Sequence, residues 1–375
     1  MGKVVTFGEI MIRMHMKDHR RFRQSLPGEV DVTFAGAEAN VAVSVALLGG
    51  EAAFVSALPT HAVADACVGE LQNLGVDTSG IVRTERGRLG VYFVEAGANQ
   101  RPSNVIYDRD YSSIALEPAG SYDWNRIFTG ASWFHLTGIT PSLSKNAADI
   151  SLEAVKKAKE KGLIVSCDLN FRKKLWRWDG NTAPGDLAAR VMGSILPYVD
   201  ICVANEEDVQ EVLGIKIDAV DTVTGTLKIE KYPDLAAMTA AKFPSLGKIA
   251  FTLRESISAS HNNWGAMLYD TASKKASFAP VVAGEARTAD GAAAAGSVKY
   301  QPYSINSIVD RIGGGDSFSA ALIYALMDNS LKDEALAFAT AASCLCHSIE
   351  GDFNFSSRAE VLALMKGSTS GRIVR

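Results

Sequence analysis

Three consecutive glycines and an aspartate form the stretch of this sequence that is best suited to chemistry. They lie in IVDRIGGGDSFSAALIYAL, residues 308–326, as Gly313, Gly314, Gly315 and Asp316. Apolar residues recur at helical spacing after Asp316, which predicts a helix that begins at the glycines. A helix N-terminus offers free N–H groups and a positive partial charge, and glycines let an anion approach the backbone. The pattern therefore predicts a phosphate site in which Asp316 takes a proton from an attacking hydroxyl.

A second interpretation of the same stretch needs no ligand. Aspartate is a residue type that caps helices, so Asp316 could simply be the N-cap after a glycine-rich turn. On the local pattern alone the two interpretations are equally good. Other nucleotide-binding loops do not decide between them, because the chain has no G-x-x-x-x-G-K-S/T and no G-x-G-x-x-G between a strand and a helix.

Further polar residues follow predicted strands in the second half of the chain. WFHLTG, LIVSCDLN, VDICVAN and IAFTLR are apolar stretches that begin at residues 133, 163, 199 and 249. They alternate with predicted helices over 145–161, 184–197, 205–213 and 234–243, which favours a parallel sheet covered on both faces. Ligands bind beyond the carboxyl ends of such strands. This rule selects Asn170, Arg172, Asn205 and Arg254.

The first half of the chain mixes strands, helices and hairpins. We expect a strand over residues 3–8, a small-residue helix over 36–49, a strand in AAFVSAL (52–58) and a helix over 62–75. Alternating stretches within 11–34 and 81–116 predict hairpins. The Ala/Gly-rich stretch 282–299 lacks periodicity and predicts a surface loop.

Composition limits the class of function. The chain has 375 residues, of which 47% are hydrophobic and 21% charged, and a net charge of −4, so it lacks the basic surface of a nucleic-acid binder. No apolar run reaches the roughly 20 residues that a membrane span needs. Five cysteines in apolar surroundings favour reduced thiols in the cytoplasm. His61, His135 and His347 have no partner at metal-ligand spacing, so we assign no residue directly to a metal.

Several motifs, taken in order, resemble the PfkB (ribokinase-like) carbohydrate kinases. VDRIGGGDSFSAALIYAL is similar to the second signature of that family, and FAGAEANVAVSVALLGG, residues 34–50, is similar to the first. CDLNFRKKLW (167–176) and VANEEDVQEVLG (203–214) resemble two further family blocks. The resemblance covers essentially the whole chain. It implies a ribokinase-like α/β three-layer sandwich with a mostly parallel central sheet and a small β-sheet lid.

The resemblance also implies roles for individual residues. Asp316 would be the general base, and the N–H groups of Gly313, Gly314 and Gly315 would form the anion hole for the γ-phosphate of ATP. Gly36 and Asn40 match residues that contact the sugar in that family. Asn205, Asp208 and Arg254 match the positions that contact ATP and Mg²⁺. Asp208 is one methylene shorter than the usual glutamate. Ala35 stands where the family has a first glycine.

Within the family, GAEAN, the YDR of residues 107–109, DLNFR and TLRES resemble the 2-keto-3-deoxygluconate kinases. Their substrate carries a carboxylate, which arginine matches with two parallel hydrogen bonds. Arg109 and Arg172 are the candidates for that contact, with Tyr92 and Tyr107 as walls or hydroxyl partners. Taken alone, the arginines could be ordinary surface charges and Tyr92 a packing residue.

The expected domains follow from the same resemblance. Residues 1–10, 35–87 and 114–375 would form the α/β domain, and 11–34 and 88–113 the β-sheet lid. A closing lid would exclude water, so that ATP is not hydrolysed, and such lids also mediate dimers. The adenine is expected near residues 337–348, and a K⁺ ion near the glycines remains an open alternative.

Three functions compete at this stage. The first is ATP-dependent phosphorylation of the terminal hydroxyl of 2-keto-3-deoxygluconate to the 6-phosphate. The second is a kinase of a neutral sugar such as fructose or ribose, or of a nucleoside, which would need no paired cations for its substrate. The third is a non-catalytic sugar-binding relative, which retention of Asp316 and the glycines disfavours.

Overall fold

The computed structural model describes residues 2–217, 227–283 and 298–367. The strands are β1 (Lys3–Phe7), β2 (Met11–His15), β3 (Asp31–Ala35), β4 (Ala52–Val55), β5 (Ala57–Pro59), β6 (Val76–Asp77), β7 (Val82–Thr84), β8 (Gly90–Glu95), β9 (Asn104–Asp108), β10 (Ala131–Thr137), β11 (Ile164–Asp168), β12 (Ile201–Ala204), β13 (Lys248–Ser258), β14 (His261–Asp270), β15 (Lys275–Ala279), β16 (Val281–Ala283), β17 (Val298–Tyr300) and β18 (Tyr303–Ile305). The helices are α1 (Phe22–Ser25), α2 (Ala37–Leu47), α3 (Ala62–Asn73), α4 (Ser113–Leu116), α5 (Trp124–Ile127), α6 (Lys145–Glu160), α7 (Pro184–Ile195), α8 (Glu206–Leu213), α9 (Tyr232–Lys242), α10 (Gly314–Met327), α11 (Ala335–Cys346) and α12 (Arg358–Met365).

A large central sheet organises the chain. Its strand order is β15-β14-β13-β12-β11-β10-β1-β4-β6, with β18 beside β14. The strands from β13 to β6 are parallel, whereas β14, β15 and β18 pair antiparallel at one edge. The predicted α/β fold with a mostly parallel sheet is confirmed. The antiparallel edge was not predicted.

Helices cover both faces of this sheet. Neighbouring residues of a strand point to opposite faces, and Val4 and Val5 of β1 accordingly belong to different hydrophobic clusters, as do Trp133 and Phe134 of β10. Helices α6 to α9 pack on one face, and α2, α3, α10 and α11 pack on the other. Because α10 contacts both α2 and α11, the glycine turn that precedes α10 lies near the start of α2.

A second, four-stranded sheet has the order β3-β2-β8-β9, and we call it the small sheet. Arg13, Tyr92 and Tyr107 are cross-strand partners on one of its faces. The other face carries a row of apolar residues that are also cross-strand partners: Met14, Val32, Phe93 and Ile106. The face that carries Arg13 and Tyr92 also carries the apolar Met11 and Val94, and it is turned towards the α/β domain.

The predicted helices α2, α3 and α6 to α9 begin and end within two residues of the expected bounds. AAFVSAL is wrong as a single strand, because the chain breaks at the buried Ser56 so that β5 can leave the central sheet and pair with β7. SIAL (113–116) is the helix α4 rather than a strand. The ends of the predicted loop 282–299 pair as β16 and β17, and its interior lies outside the described residues. No described helix is both long and apolar enough to cross a bilayer.

Candidate active site

A cavity of about 410 Å³ opens at the carboxyl ends of the parallel strands, beneath the small sheet. A volume of this size fits a small ligand. All residues predicted for the site line it: Gly36, Asn40, Tyr92, Tyr107, Arg109, Arg172, Asn205, Asp208, Arg254, Gly313, Gly314, Gly315 and Asp316. Of the segment 337–348, where the adenine was expected, His347 alone is among the described lining residues.

The three glycines are required for three different reasons. Gly313 has a φ of +84°, and a Cβ on it would lie 2.2 Å from the carbonyl oxygen of Asp352, so both conformation and close approach demand glycine. A Cβ on Gly314 would lie 3.0 Å from Cε1 of His347. A Cβ on Gly315 would meet no described atom within 4 Å. Protein packing therefore leaves the space over Gly315 open, as a bound anion would require.

Asp316 is not the N-cap of α10. Gly313 holds that position, without a side-chain hydrogen bond, and Ser317 N donates the first intrahelical bond to Gly313 O at 2.8 Å. The capping interpretation of Asp316 is therefore wrong. The N–H groups of residues 314–316 precede that first bond and are available to an anion. The Asp316 carboxylate instead accepts a hydrogen bond from Asn40 Nδ2 at Oδ2, at 2.6 Å.

The environment of Asp316 favours its protonated form. The pKa of Asp316 is raised to about 7, chiefly by burial and also by the nearby charges of Asp352 and Glu38, while the hydrogen bond from Asn40 acts in the opposite direction. A carboxyl group with a pKa close to neutrality can both accept and release a proton near pH 7. The electrostatics of this position would suit a group that exchanges a proton near neutral pH.

Asn40 is held in place by the start of α2. Its Oδ1 accepts a hydrogen bond from the N–H of Gly36 at 3.2 Å, so the Nδ2 group is turned towards Asp316. Gly36 is extended, and a Cβ on it would lie 1.9 Å from the carbonyl oxygen of Glu9. Glycine is thus needed at position 36, because the backbone at Glu9 lies directly against the start of α2. This close contact fixes the position of Asn40.

The two arginines expected near the acid group of the sugar differ in their surroundings. Arg109 is buried and forms an ion pair with Glu9, with its Nε 2.7 Å from Glu9 Oε2. Its guanidinium also lies 5.4 Å from the ring centroid of Tyr107, which stacks on Tyr92. Arg172 is exposed to the cavity and forms no salt bridge within the described ranges. Arg172 is therefore the guanidinium that remains free for an external carboxylate.

Asn205 and Asp208 form a reciprocal cap at the start of α8. Asn205 Oδ1 accepts from Asp208 N at 2.8 Å, and Asp208 Oδ2 accepts from Asn205 N at 3.0 Å. The other oxygen of Asp208 accepts from Phe171 N at 2.9 Å. Burial raises the pKa of Asp208 to about 6. Because backbone N–H groups occupy both oxygens, Asp208 ties two cavity loops together and is poorly placed to bind a metal directly.

Arg254 and Arg311 place two positive charges on one wall of the cavity. Arg254 lies inside β13 rather than after it, because this strand extends to Ser258. Arg311 was not predicted; its Nη2 donates to the carbonyl oxygens of Ser258 and Ala259 at 3.1 and 2.6 Å. Burial lowers the pKa of Arg311, and the charge of Arg254 lowers it further. Across the described segments neither arginine forms a salt bridge, and Arg311 Nε is buried without a partner. Such a pair suits a polyanion.

Two more residues of the wall lie at the end of β11: Asp168, which was not predicted from the sequence, and Asn170, which was. Asp168 lines the cavity, and burial raises its pKa well above the ordinary value, as do the charges of Asp208 and Asp316. Asn170 has a φ of +37°, an uncommon conformation held by the bond from its N–H to Asp168 Oδ1. Within the described part of the chain, no group of three His, Cys, Asp or Glu side chains is arranged to hold a metal.

Two of the histidines lie away from the cavity. His61 Nδ1 accepts from Ala64 N, where it caps α3, and His135 Nδ1 is 2.8 Å from Ser166 Oγ in the core. His347 lines the cavity and has its Nδ1 2.8 Å from the carbonyl oxygen of Ser343. Burial lowers its pKa, which keeps the ring neutral beside the two arginines.

Comparison with known proteins gives consistent results over the whole chain. The profile of the pfkB family carbohydrate kinases matches residues 1–247 and 286–356. The 2-dehydro-3-deoxygalactonokinase of Haloferax volcanii is 31% identical over 373 residues, which are 99% of this chain and 98% of that protein. The crystal structure of 2-dehydro-3-deoxygluconokinase from Thermotoga maritima is 41% identical with a TM-score of 0.84, and the match covers 98% of this chain and 100% of that one. A pfkB family carbohydrate kinase from Listeria grayi is 29% identical with a TM-score of 0.81, over 97% and 99% of the two chains.

Proposed function

Because this chain belongs to the pfkB family of carbohydrate kinases, we propose that it transfers the γ-phosphoryl group of ATP to the terminal hydroxyl of 2-keto-3-deoxygluconate, also called 2-dehydro-3-deoxygluconate. The hydroxyl oxygen attacks the γ-phosphorus, the bond between that phosphorus and the bridging oxygen breaks, and ADP leaves. Asp316 takes the hydroxyl proton. The observation that carries this assignment is the 2.6 Å hydrogen bond from Asn40 to Asp316, because it directs a carboxylate to the open N-terminus of α10.

The phosphate end of the reaction is served by the glycine turn and the two arginines. The N–H groups at Gly313, Gly314 and Gly315 are the anion hole, and the open space over Gly315 supports close approach by the γ-phosphate. Arg254 and Arg311 neutralise the phosphate chain. The adenine lies towards residues 337–348.

Bound together with ATP, Mg²⁺ would lower the charge on the transferring group. Both oxygens of Asp208 are engaged by backbone N–H groups, so Asp208 and Asn205 would hold such an ion through water rather than as direct ligands.

The acid group of the sugar is bound by Arg172. Arg109 is already matched by Glu9, so its part is to hold Tyr107 and the small sheet against the sugar. Gly36 and Asn40 bind sugar hydroxyls beside Asp316, and Tyr92 forms part of the wall. A neutral sugar would leave the charge of Arg172 without a partner, which disfavours fructose or ribose.

The C4 epimer of the same acid, 2-keto-3-deoxygalactonate, is the second candidate. The Haloferax volcanii relative that matches almost the full chain is named for it. The two acids share the carboxylate that Arg172 binds and the terminal hydroxyl that Asp316 deprotonates. They differ in one hydroxyl orientation, so the choice depends on the wall formed by residues 36–40.

The small sheet, built from segments 11–34 and 88–113, acts as the lid, and residues 1–10, 35–87 and 114–375 form the α/β domain. The face of the small sheet that carries Tyr92 closes on the sugar. Its outer apolar face leaves Val32 and Ile106 about half exposed, which supports a dimer formed through the lid. Light scattering on the wild type and on Ile106→Asp tests this; a monomeric wild type would refute it.

ATP supply and five free cysteines favour the cytoplasm.

ADP release with ATP and Mg²⁺ over a panel of sugars tests the proposal. The panel is 2-keto-3-deoxygluconate, 2-keto-3-deoxygalactonate, gluconate, fructose, ribose and adenosine. We expect turnover with the first acid to exceed turnover with each neutral compound by at least about a hundredfold, the effect of losing a charge-assisted contact. A preference for fructose, ribose or adenosine would refute the carboxylate site but leave the kinase. A preference for the galacto acid would establish the second candidate.

A further inference from the structure

One buried guanidinium, outside the set of residues assigned so far, joins three separate segments of the chain. Arg13 lies in β2 of the small sheet and is 1% exposed. Its Nη1 forms an ion pair with Asp352 Oδ1, and its Nη2 forms one with Asp310 Oδ2. Asp310 lies three residues before Gly313, and Asp352 lies after α11. The fork of a single guanidinium therefore holds the small sheet, the glycine turn and the segment after α11.

Asp310 contacts the glycine turn through its carboxylate, and Asp352 contacts it through its backbone carbonyl. Asp310 Oδ1 accepts from Ile312 N at 3.1 Å, directly before Gly313. The carbonyl of Asp352 lies against the α-carbon of Gly313, where a Cβ would come within 2.2 Å. A displacement of either aspartate would thus move Gly313, the N-cap of α10, and with it the N–H groups that follow it up to Asp316.

The same fork reaches the sugar side of the cavity. Asp352 Oδ2 accepts a hydrogen bond from the hydroxyl of Tyr92 at 2.8 Å. Tyr92 stacks on Tyr107, with ring centroids 6.0 Å apart, and both tyrosines line the cavity. Arg13 and Tyr92 are direct cross-strand partners. The wall against which the sugar rests and the turn that carries the base are therefore connected through one side chain.

We propose that Arg13 is a positioning residue that fixes the glycine turn and Asp316 relative to the sheet that holds the sugar. This rests on the proposed role of Asp316 as base, but not on which sugar is the substrate. Arg13 touches neither sugar nor ATP in this role. It acts through Asp310 and Asp352.

Stability alone does not account for this arrangement. One guanidinium and two carboxylates, all less than a tenth exposed, have been removed from water. Buried ion pairs and triads of this kind can often be replaced by apolar side chains without loss of stability. What apolar side chains cannot supply is a fixed distance between two aspartates, and a misplacement of about 1 Å at a reacting group can cost about a hundredfold in rate.

The test compares Arg13→Met, Arg13→Lys and Arg13→Ala with the wild type, on whichever sugar of the panel the wild type phosphorylates fastest. We expect kcat to fall by about a hundredfold in Arg13→Met, while the Kd for ATP, measured by calorimetry, changes less than about threefold. Guanidinium chloride at low millimolar concentration should restore part of kcat in Arg13→Ala, because the ion fills the vacated position. Arg88→Met is the matched control, since Arg88, two residues before β8, forms an exposed ion pair with Asp108 of β9.

Hydrogen exchange followed by mass spectrometry supplies a readout that needs no substrate. Amides of residues 310–317 should exchange faster in Arg13→Met and at the wild-type rate in Arg88→Met. If Arg13→Met does not fold, the double variant with Asp310→Asn, which removes one of the two carboxylates left unpaired, is measured instead. A wild type inactive on the whole panel would refute the proposed function, whereas exchange still tests Arg13. Unchanged exchange at 310–317 in a folded variant, or wild-type kcat, would overturn the positioning role.

Discussion

Replacement of Asp316 by asparagine tests the general base directly. The variant keeps the size of the side chain and an oxygen that can accept the hydrogen bond from Asn40, but it cannot take a proton. A positioned base contributes about 10²–10⁴ in rate, so we expect kcat to fall at least about a hundredfold. The Kd values for ATP and sugar should change little, because the anion hole is made of backbone N–H groups.

The pH dependence follows from the pKa of Asp316, which burial raises from 3.8 to about 7. The base must be ionised to act, so activity is lost as pH falls through that value. With this pKa the carboxylate is about nine-tenths ionised at pH 8 and about one-tenth ionised at pH 6, which predicts a roughly tenfold fall in kcat/KM. An unperturbed aspartate would show no fall in this range.

The assay is chromatographic measurement of ADP from pH 5 to 9, which avoids coupling enzymes that have pH profiles of their own. ATP also ionises in this range, so the ratio of wild-type to Asp316→Asn activity isolates the side chain. Asp316→Ala guards against deamidation of the new asparagine, and Asp149→Asn, at an exposed position of α6, is the control. More than a tenth of wild-type turnover in both Asp316 variants, or an acid limb below pH 5.5, would refute the reasoning.

Three further predictions concern the turn and the charges around it. Gly315→Ala should leave Tm unchanged, because its Cβ meets no described atom within 4 Å, but should weaken ATP binding by about tenfold; Gly313→Ala should lower Tm instead, because its φ is +84°. Unfolding scans and calorimetry separate the two, and equal behaviour would contradict the assignment. Arg172→Ala should raise KM for the keto-deoxy acid by about tenfold or more and leave that for ATP unchanged, measured by steady-state kinetics; an unchanged KM for the acid removes Arg172 from the carboxylate site. Turnover in buffers without K⁺ and Na⁺ should stay within about twofold, because Arg13 already neutralises Asp310 and Asp352; strong activation by K⁺ would show that this reasoning is wrong.

The features predicted well from the sequence are those that depend on neighbouring residues. The start of α10 at the glycines, the alternation of strands and helices and the position of Asn205 after β12 all follow from local patterns. The resemblance to PfkB kinases, carried by motifs in the right order, is confirmed at the level of the family. Such patterns assign a residue to a strand end or a helix start. Because ligands bind beyond the carboxyl ends of parallel strands, these residues can then be expected in the cavity.

The pairing of charges could not be predicted in this way. Arg109 is 100 residues from Glu9, and no local signal marks Glu9 as its partner. Arg254 was expected after a strand that in fact continues to Ser258 because β14 pairs along its whole length. Arg311 was not predicted, because the backbone carbonyls of Ser258 and Ala259 that hold its Nη2 lie more than 50 residues away in the sequence. Whether an arginine is available to a ligand thus depends on ion-pair and hydrogen-bond partners that are remote in the sequence.

The distance along the chain between Arg13 and Asp352 has a consequence for synthesis on the ribosome. The two residues are 339 positions apart, and at about 5–20 residues per second roughly 17–70 seconds separate their appearance. The strands of the parallel sheet are made earlier, and the glycine turn is made near the end of that interval, shortly before Asp352. We expect chains arrested before residue 352 to show no sugar-dependent ATP turnover, measurable on stalled complexes. We therefore expect the site to be completed only late in synthesis, after most of the central sheet has been made.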